Sequence, residues 1–308
     1  MKKTKPILDI LNRLIENEDT KRILSDYSSG VEELVNFGTH ILNWDLQEAT
    51  GKDENLPIVL MFRNFLEQLD AISILIKEGS IDPAKIIVRS LLESYLGLEY
   101  ILEKDTNNRA LGFLVWHYIN ELKLYKKLKP GTEEHANFKS KLDKNGMQVP
   151  QIDKIDDHIK DVEYLLSLPI YSIALAEYKR IKGSGKSKKK NPNWFELFDG
   201  PENIENLANY LGKQTLYEAY YRSFSGTTHA TNIIQGRVQL MEDKTPAIVQ
   251  IRFVKDANLV VGAAFNITIS MYFLMLQKRI PSHKADFKEW YVPEVSEYFK
   301  SITKYRKL

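Results

Sequence analysis

IVLMFRNFLEQLDAISILIKEGSIDPAKIIVRSLLESYLGLEYILEK, residues 58–104, decides the fold class of this chain. Its apolar residues recur at three- and four-residue spacing in two runs, which is the periodicity of helices that face a core. Between the runs stands EGSIDP, where Gly79 suits a helix C-terminus. Asp82 before Pro83 suits the cap and first position of the next helix. The stretch therefore predicts a helical hairpin.

The sequence on both sides of this hairpin is also mostly helical in pattern. Residues 5–27 and 30–49 repeat the same apolar spacing, and no alternation of strands with helices is present. Only VQLMEDKTPAIVQIRFV, residues 238–254, alternates apolar and polar residues, a pattern that also fits a short β-hairpin. We predict an all-α protein with an N-terminal helical extension over residues 1–50 and one helical bundle domain over residues 51–308.

Composition limits the classes of function. The chain has 308 residues, of which 43% are hydrophobic and 27% charged, as in ordinary globular proteins. Its formal net charge of +2 is too near neutral to indicate nucleic-acid binding, so any basic surface must be local. The sequence contains no Cys, which excludes disulfides and thiolate metal sites. Its first residues include no apolar run long enough for a signal peptide, so we expect a cytoplasmic protein.

One uncharged segment meets the length criterion for a membrane-spanning helix. It is ANLVVGAAFNITISMYFLMLQ, residues 257–277. Asn258, Asn266 and Thr268 interrupt its apolar character, and no other segment competes as a second span. A buried core helix is the favoured interpretation, and we expect no membrane association.

The strongest charge run is EYKRIKGSGKSKKKNPNW, residues 177–194. It contains GSGKS, but Arg180 stands where a Walker A motif requires Gly, and the residues before it are helical in pattern. We expect a basic loop over residues 179–192 that is either simply solvated or contacts the phosphate backbone of RNA. The lysines with the second role would be Lys182, Lys186, Lys188, Lys189 and Lys190.

The two arms of the hairpin resemble each other. FRNFLEQ places Arg63 four residues before Glu67, and VRSLLES places Arg89 four residues before Glu93. One interpretation is a pair of exposed intrahelical ion pairs. The alternative is partial burial beside an active surface, where these four residues would support the site.

YYRSFSGTTHAT, residues 220–231, holds the candidate catalytic pair Arg222 and His229, with six residues between them. Because Ser, Gly and Thr favour caps and turns, SFSGTT predicts a helix break, followed by a capped helix that carries His229. A His of near-neutral pKa can move protons at the 2′-hydroxyl or the leaving oxygen of an RNA phosphodiester. An Arg can stabilise the charge that builds on the phosphate. Ser223 or Thr228 would position the pair.

Aromatic residues crowd this motif. Tyr220 and Tyr221 adjoin each other, so both cannot face the interior of one helix. Core packing is one interpretation of the cluster. The alternative is that Tyr221 stacks on an RNA base or crosses a dimer interface.

An Arg, a short polar spacer and a His late in an all-α chain resemble the signature of the HEPN superfamily. The wider pattern, over roughly residues 30–280, is also similar to an uncharacterised bacterial family of helical proteins. The resemblance implies a compact helical bundle that pairs with a second copy. In HEPN ribonucleases two Arg-and-His sets meet at the dimer interface in one metal-independent site, and by position Arg222 and His229 would take those roles. Ser223 stands where active members often carry Asn, Asp or His.

The resulting hypothesis is a cytoplasmic, homodimeric RNA endonuclease that uses no cofactor and no metal. HEPN ribonucleases act as toxins or in phage defence, which implies an antitoxin or a defence-system protein as a further partner. The alternative hypothesis is a non-catalytic HEPN-like sensor or protein-interaction module on the same bundle.

Overall fold

The computed structural model describes residues 4–13, 15, 17–49, 55–183, 191–228, 238–242, 244–296 and 298–299. The chain divides into two compact units. The first comprises Met1–Lys52, Ile58–Glu99 and Ala208–Leu308, and the second comprises Asp53–Pro57 and Tyr100–Leu207.

Helices make up nearly all the regular structure of the described residues, so the all-α prediction is confirmed. The first unit holds α1 (Glu18–Glu48), most of α2 (Asn55–Lys77) and α3 (Ile81–Glu103), α9 (Gln214–Leu216), α10 (Ser223–Thr228), α11 (Ala257–Lys278), α12 (Lys284–Trp290), and π-helical turns at Tyr217–Arg222 and Tyr291–Ser296. The second unit holds α4 (Thr106–Leu128), α5 (Glu133–Asp143), α6 (Ile155–Ser167), α7 (Ser172–Gly183) and most of α8 (Ile204–Tyr210). Short 3-10 turns lie at Pro169–Tyr171, Trp194–Glu196 and Pro281–His283.

The core of the first unit forms where α1 packs on α11. Tyr272 of α11 is fully buried, and its hydroxyl donates a hydrogen bond to the backbone carbonyl of Leu34 in α1. Gly38 permits this approach, because a Cβ there would lie only 2.3 Å from the Tyr272 hydroxyl and 2.3 Å from Leu66 Cδ2. Helix α1, which the sequence places in an N-terminal extension, is thus part of this core.

Helix α11 is the uncharged segment that raised the question of a membrane span. Within the described ranges it is the one helix long and apolar enough to cross a membrane, with a mean hydropathy of 2.0 over its most apolar window. In that window, 67% of the residues are buried inside the protein. This burial fits the interpretation of α11 as a core helix.

The core of the second unit is built around α4. Leu114 and Val115 of α4 pack with Tyr171, Tyr178 and Leu197 in one buried cluster. Helices α5, α6 and α7 all contact α4. Helix α5 carries no buried residue along its described length, as its polar sequence predicts.

The α2–α3 hairpin is present as predicted, with one correction at its turn. Gly79 has a φ of +64°, which suits the end of α2 and strains any residue with a side chain. Helix α3 begins at Ile81, so Asp82 lies in its first turn and accepts a hydrogen bond from Lys85 Nζ at 3.0 Å. The prediction that Asp82 caps this helix is therefore wrong by two positions, because the residue before the helix is Ser80.

The predicted β-hairpin is also confirmed. Strand β1 (Val238–Leu240) pairs antiparallel with β2 (Pro246–Ile248), and Val238 lies opposite Ile248. Both strands are short and largely exposed.

Candidate functional site

The candidate catalytic segment is helical where a break was predicted. Helix α9, the π-helical turn and α10 follow one another without interruption from Gln214 to Thr228. Ser223 has right-handed helical dihedrals, so the chain does not turn away after Arg222. The predicted break at SFSGTT is therefore wrong. Side-chain packing outweighs the weak helix propensity of these residues, since Phe224 and Gly226 are buried.

Arg222 lies at the end of the π-helical turn, and its side chain is 55% exposed. Its Nη1 is 3.1 Å from Glu218 Oε1, one turn earlier, and its guanidinium carbon is 5.6 Å from the ring centre of Tyr217. An ion pair between exposed side chains four residues apart contributes only about 0.3–0.5 kcal/mol. Because this contribution is small, a phosphate group of RNA can compete with Glu218 for Arg222.

Tyr221 is fixed by residues from another helix. Its hydroxyl donates a hydrogen bond to Glu93 Oε1 at 2.7 Å, and the Arg89 guanidinium lies 4.2 Å from the centre of its ring. On the other side, the rings of Tyr217 and Tyr221 stack with centroids 5.0 Å apart. Arg89 is buried at 8% exposure, and its Nε has no hydrogen-bond partner among the described residues. This buried cation thus contacts Tyr221 through its face.

The environment of Tyr221 changes its acidity. Burial raises the pKa of Tyr221 to about 12, and the hydrogen bond and negative charge of Glu93 act in the same direction. The positive charge of Arg89 opposes this rise in pKa but does not cancel it. Tyr221 is therefore a neutral hydrogen-bond donor at physiological pH.

The first Arg and Glu pair of the hairpin has a different environment. Arg63 Nη1 lies 2.7 Å from Glu67 Oε2, and both side chains are more than half exposed. Within the described chain this pair makes no hydrogen bond to the turn that carries Arg222. Arg89 and Glu93 contact Tyr221, and the supporting role suggested for all four residues stays a prediction.

Ser223 and Thr228 are the two hydroxyl residues proposed to position the catalytic pair. Ser223 Oγ donates a hydrogen bond to the backbone carbonyl of Ala219, so it serves the helix itself. Thr228 is the last residue of α10. His229 lies outside the described residues, and its role as a proton-transfer group stays a prediction.

The basic run is only partly described. Helix α7 continues to Gly183, so the predicted start of the loop at residue 179 is wrong. Arg180 on this helix is engaged by Glu177 at 2.7 Å and by Asp199 at 3.1 Å. Lys182 is exposed in the last turn of α7. The predicted contacts Lys186, Lys188, Lys189 and Lys190 lie outside the described residues.

A cavity of about 380 Å³ lies beside the end of α10. Thr227 forms part of its wall, together with Asp82, Gln250, Ile251 and Phe253. Its walls are mixed, with apolar side chains next to a carboxylate. The cavity thus adjoins the motif through Thr227. Arg222, the exposed cation of the motif, is not among its lining residues.

Two contacts of this segment involve residues that the sequence did not single out. Glu218 pairs with Arg222, and the four-residue spacing of opposite charges could have indicated it. Asn266 of α11 donates a hydrogen bond from Nδ2 to the Tyr220 hydroxyl at 2.8 Å. That contact joins residues far apart in sequence, and no local pattern predicts it.

Comparison with known proteins identifies the family of the chain. The profile of DUF5677, a family of unknown function, matches residues 55–245, and the chain belongs to that family. No curated protein matches the sequence. No solved structure matches it either. Among the described residues, no three His, Asp or Glu side chains are grouped so that they could hold a metal ion.

Proposed function

We propose that this protein is a metal-independent RNA endonuclease that uses Arg222 and His229 and acts as a homodimer. The observation that carries the proposal is the exposed guanidinium of Arg222 beside Tyr221, whose ring is held by buried Arg89. A cation on a fixed turn loses little conformational freedom when it binds a phosphate. Such preorganisation is what stabilisation of a phosphorane requires.

The chemistry assigns one role to each residue. His229 accepts the proton of the ribose 2′-hydroxyl as its oxygen attacks phosphorus, and a protonated imidazole returns a proton to the departing 5′-oxygen. The products are a 2′,3′-cyclic phosphate and a free 5′-hydroxyl. Arg222 releases Glu218 and donates to the charged equatorial oxygens. Neither role requires a metal ion or a cofactor.

The partners follow from the same hypothesis. Lys182 and the lysines of residues 186–190 would bind the RNA backbone, since phosphate contacts supply sequence-independent affinity. A second copy would bring two Arg-and-His sets into one site. By the resemblance of its Arg and His motif to HEPN proteins, such an enzyme would act in the cytoplasm as a toxin or defence effector controlled by a partner protein.

The test is cleavage of single-stranded RNA by the purified full-length protein in the presence of EDTA. Arg222→Ala is expected to lower the cleavage rate by about 10²–10³-fold, the usual effect of removing a donor to a transition-state oxyanion. Arg63→Ala is the matched control, because Arg63 is also an exposed arginine paired with a glutamate four residues away. Its rate should stay within about twofold of wild type, since an exposed ion pair contributes little.

An equal rate for Arg222→Ala and wild type would contradict the proposal. Circular dichroism of each variant shows whether the helices are retained. Because the Arg222 side chain is 55% exposed, we expect the fold to survive its removal.

A specific observation favours a second candidate, a non-catalytic binding module. Arg222 is already paired with Glu218, and the Ser223 hydroxyl bonds its own helix backbone, so both have structural roles. This candidate predicts that wild-type protein retains labelled RNA or a partner protein on a filter without cutting RNA. Cleavage that depends on Arg222 would exclude it.

A further inference from the structure

The second unit carries a half-buried lysine whose partners in the described part of the chain are uncharged. Lys123 lies on α4, and its Nζ donates hydrogen bonds to the Tyr178 hydroxyl at 2.8 Å and to Asn191 Oδ1 at 2.7 Å. An ammonium group has three N–H donors, so one of them is left for another acceptor. A charge that is partly removed from water is usually compensated by an opposite charge. Among the described residues, no carboxylate gives Lys123 that compensation.

The acidic residues closest in sequence on the two helices are engaged elsewhere. On α4, Glu121 accepts a hydrogen bond from the Tyr125 hydroxyl at 2.8 Å. On α7, Glu177 binds Arg180 at 2.7 Å. Residues 184–190, SGKSKKK, contain four lysines and no acidic residue. The adjoining chain therefore offers Lys123 no free negative charge, and an anionic ligand is the natural source of one.

Tyr178 presents a second donor at the same place. Its side chain is only 3% exposed, and its ring belongs to the core of the second unit. The hydroxyl oxygen accepts the hydrogen bond from Lys123, whereas its own O–H has no acceptor among the residues that the structure describes. Burial raises the pKa of Tyr178, so the hydroxyl keeps its proton at physiological pH. Because buried hydroxyl groups usually have an acceptor, this O–H is suited to a ligand oxygen.

Two more cations lie close to this pair. Lys127 follows Lys123 by one turn of α4, and Lys182 follows Tyr178 by one turn of α7. Burial, and then the positive charge of Lys127, lower the pKa of Lys123. The positive charge of Lys182 opposes the rise in the pKa of Tyr178. Both added lysines are exposed, and within the described chain neither forms an ion pair. A bound anion would relieve the repulsion between these charges.

We propose that Lys123, the Tyr178 hydroxyl and Lys182 together hold a phosphate group. An anionic oxygen accepts short, charge-assisted hydrogen bonds from an ammonium and a hydroxyl. The phosphate belongs either to the backbone of RNA or to a free polyphosphate. RNA as its source rests on the proposed function, whereas the binding of a phosphate group does not. Lys123 is then a backbone contact on α4, outside the basic run that the sequence singles out.

The experiment is a fluorescence anisotropy titration of the full-length protein with a labelled single-stranded RNA. The RNA is fully 2′-O-methylated, so it cannot be cut through its own 2′-hydroxyl. Lys123→Gln should weaken binding about tenfold, the usual effect of losing a hydrogen bond to a charged group. The slope of log affinity against log salt should become shallower by about 0.7, as for the loss of one phosphate contact with a single strand.

Lys126→Gln is the matched control. Lys126 lies on the same helix and its removal takes away the same charge, but its Nζ is 3.6 Å from Glu163 Oε1. Because this lysine already has a counter-charge, the affinity of the variant should stay within about twofold of wild type. Circular dichroism shows whether each variant retains its helices.

Tyr178→Phe tests the site without removing a charge. The ring stays in the core, and only the O–H donor is lost. Affinity should fall about three- to tenfold with the salt slope unchanged, since one hydrogen bond to a charged group is removed and no cation is. An unchanged affinity would overturn the role of the Tyr178 hydroxyl.

Calorimetric titration with pyrophosphate distinguishes the sources of the phosphate. If pyrophosphate binds and Lys123→Gln weakens it, the site takes free polyphosphates, and binding of RNA alone assigns the site to the backbone. No binding of either probe, or equal effects of Lys123→Gln and Lys126→Gln, overturns the proposal. Because the methylated RNA stays intact, these results are independent of whether Arg222 and His229 cleave RNA.

Discussion

Arg63 with Glu67 on α2 and Arg89 with Glu93 on α3 share one sequence pattern and have different environments. Arg63 and Glu67 bond each other on an exposed face, where both side chains are more than half in solvent. Arg89 is only 8% exposed, and its guanidinium packs against the ring of Tyr221. Glu93 accepts a hydrogen bond from the hydroxyl of Tyr221. The second pair thus binds a segment 128 residues away.

The difference shows that spacing alone does not define the role of an ion pair. Both helices are apolar and similar in sequence, and they contact each other through Ser94, which bonds Gln68 at 3.1 Å. What separates the pairs is a tyrosine brought to α3 by the tertiary fold. The pair on α3 therefore connects the hairpin to the turn of Arg222, whereas the pair on α2 faces solvent.

The largest difference should be in stability. Arg89→Ala removes a buried cation–π contact and leaves space beside Tyr221, so we expect a loss of about 2–3 kcal/mol in the free energy of unfolding. Arg63→Ala should cost less than about 0.5 kcal/mol, because its ion pair is exposed. Urea denaturation followed by circular dichroism measures both. Equal losses for the two variants would show that the burial of Arg89 has no energetic consequence.

A smaller effect is expected at Tyr221, and it should depend on pH. Tyr221→Phe removes the hydrogen bond to Glu93 and should cost about 1 kcal/mol at neutral pH. The folded pKa of about 12 lies above the usual value of 10.0, so this contribution is complete below pH 10 and is lost as pH rises through 12.

Unfolding measured from pH 8 to pH 11 checks this dependence. The difference in stability between wild type and Tyr221→Phe should shrink above about pH 10, where unfolded tyrosine ionises. A difference that stays constant over this range would contradict the assigned environment of Tyr221.

The smallest effect is expected at Ser223. Its hydroxyl bonds the carbonyl of Ala219, within its own helix, and such bonds contribute little to stability. Ser223→Ala should change the free energy of unfolding by less than about 0.5 kcal/mol and RNA cleavage by less than about threefold. A drop of a hundredfold in cleavage would instead assign Ser223 a direct role with the substrate.

Periodicity was sufficient to predict the fold class. The α2–α3 hairpin, the core helix α11 and the short β-hairpin all follow from local apolar spacing and turn residues. The helix through SFSGTT did not follow, because burial of Phe224 and Gly226 decides it and local propensity opposes it. The same limit applies to the site. Tyr220 and Tyr221 were found from a motif, but their hydrogen-bond partners Asn266 and Glu93 come from remote helices.

The central claim is that Arg222 and His229 cleave RNA through attack by its own 2′-hydroxyl. The most direct test compares cleavage of one RNA sequence in its unmodified form and in its fully 2′-O-methylated form. The purified wild type in EDTA should cut the unmodified RNA to a 2′,3′-cyclic phosphate and leave the fully 2′-O-methylated RNA intact. His229→Ala should lose cleavage by about 10²–10⁴-fold, the usual contribution of a general acid or base. Cleavage of the methylated RNA, or an unchanged rate for His229→Ala, would contradict the account.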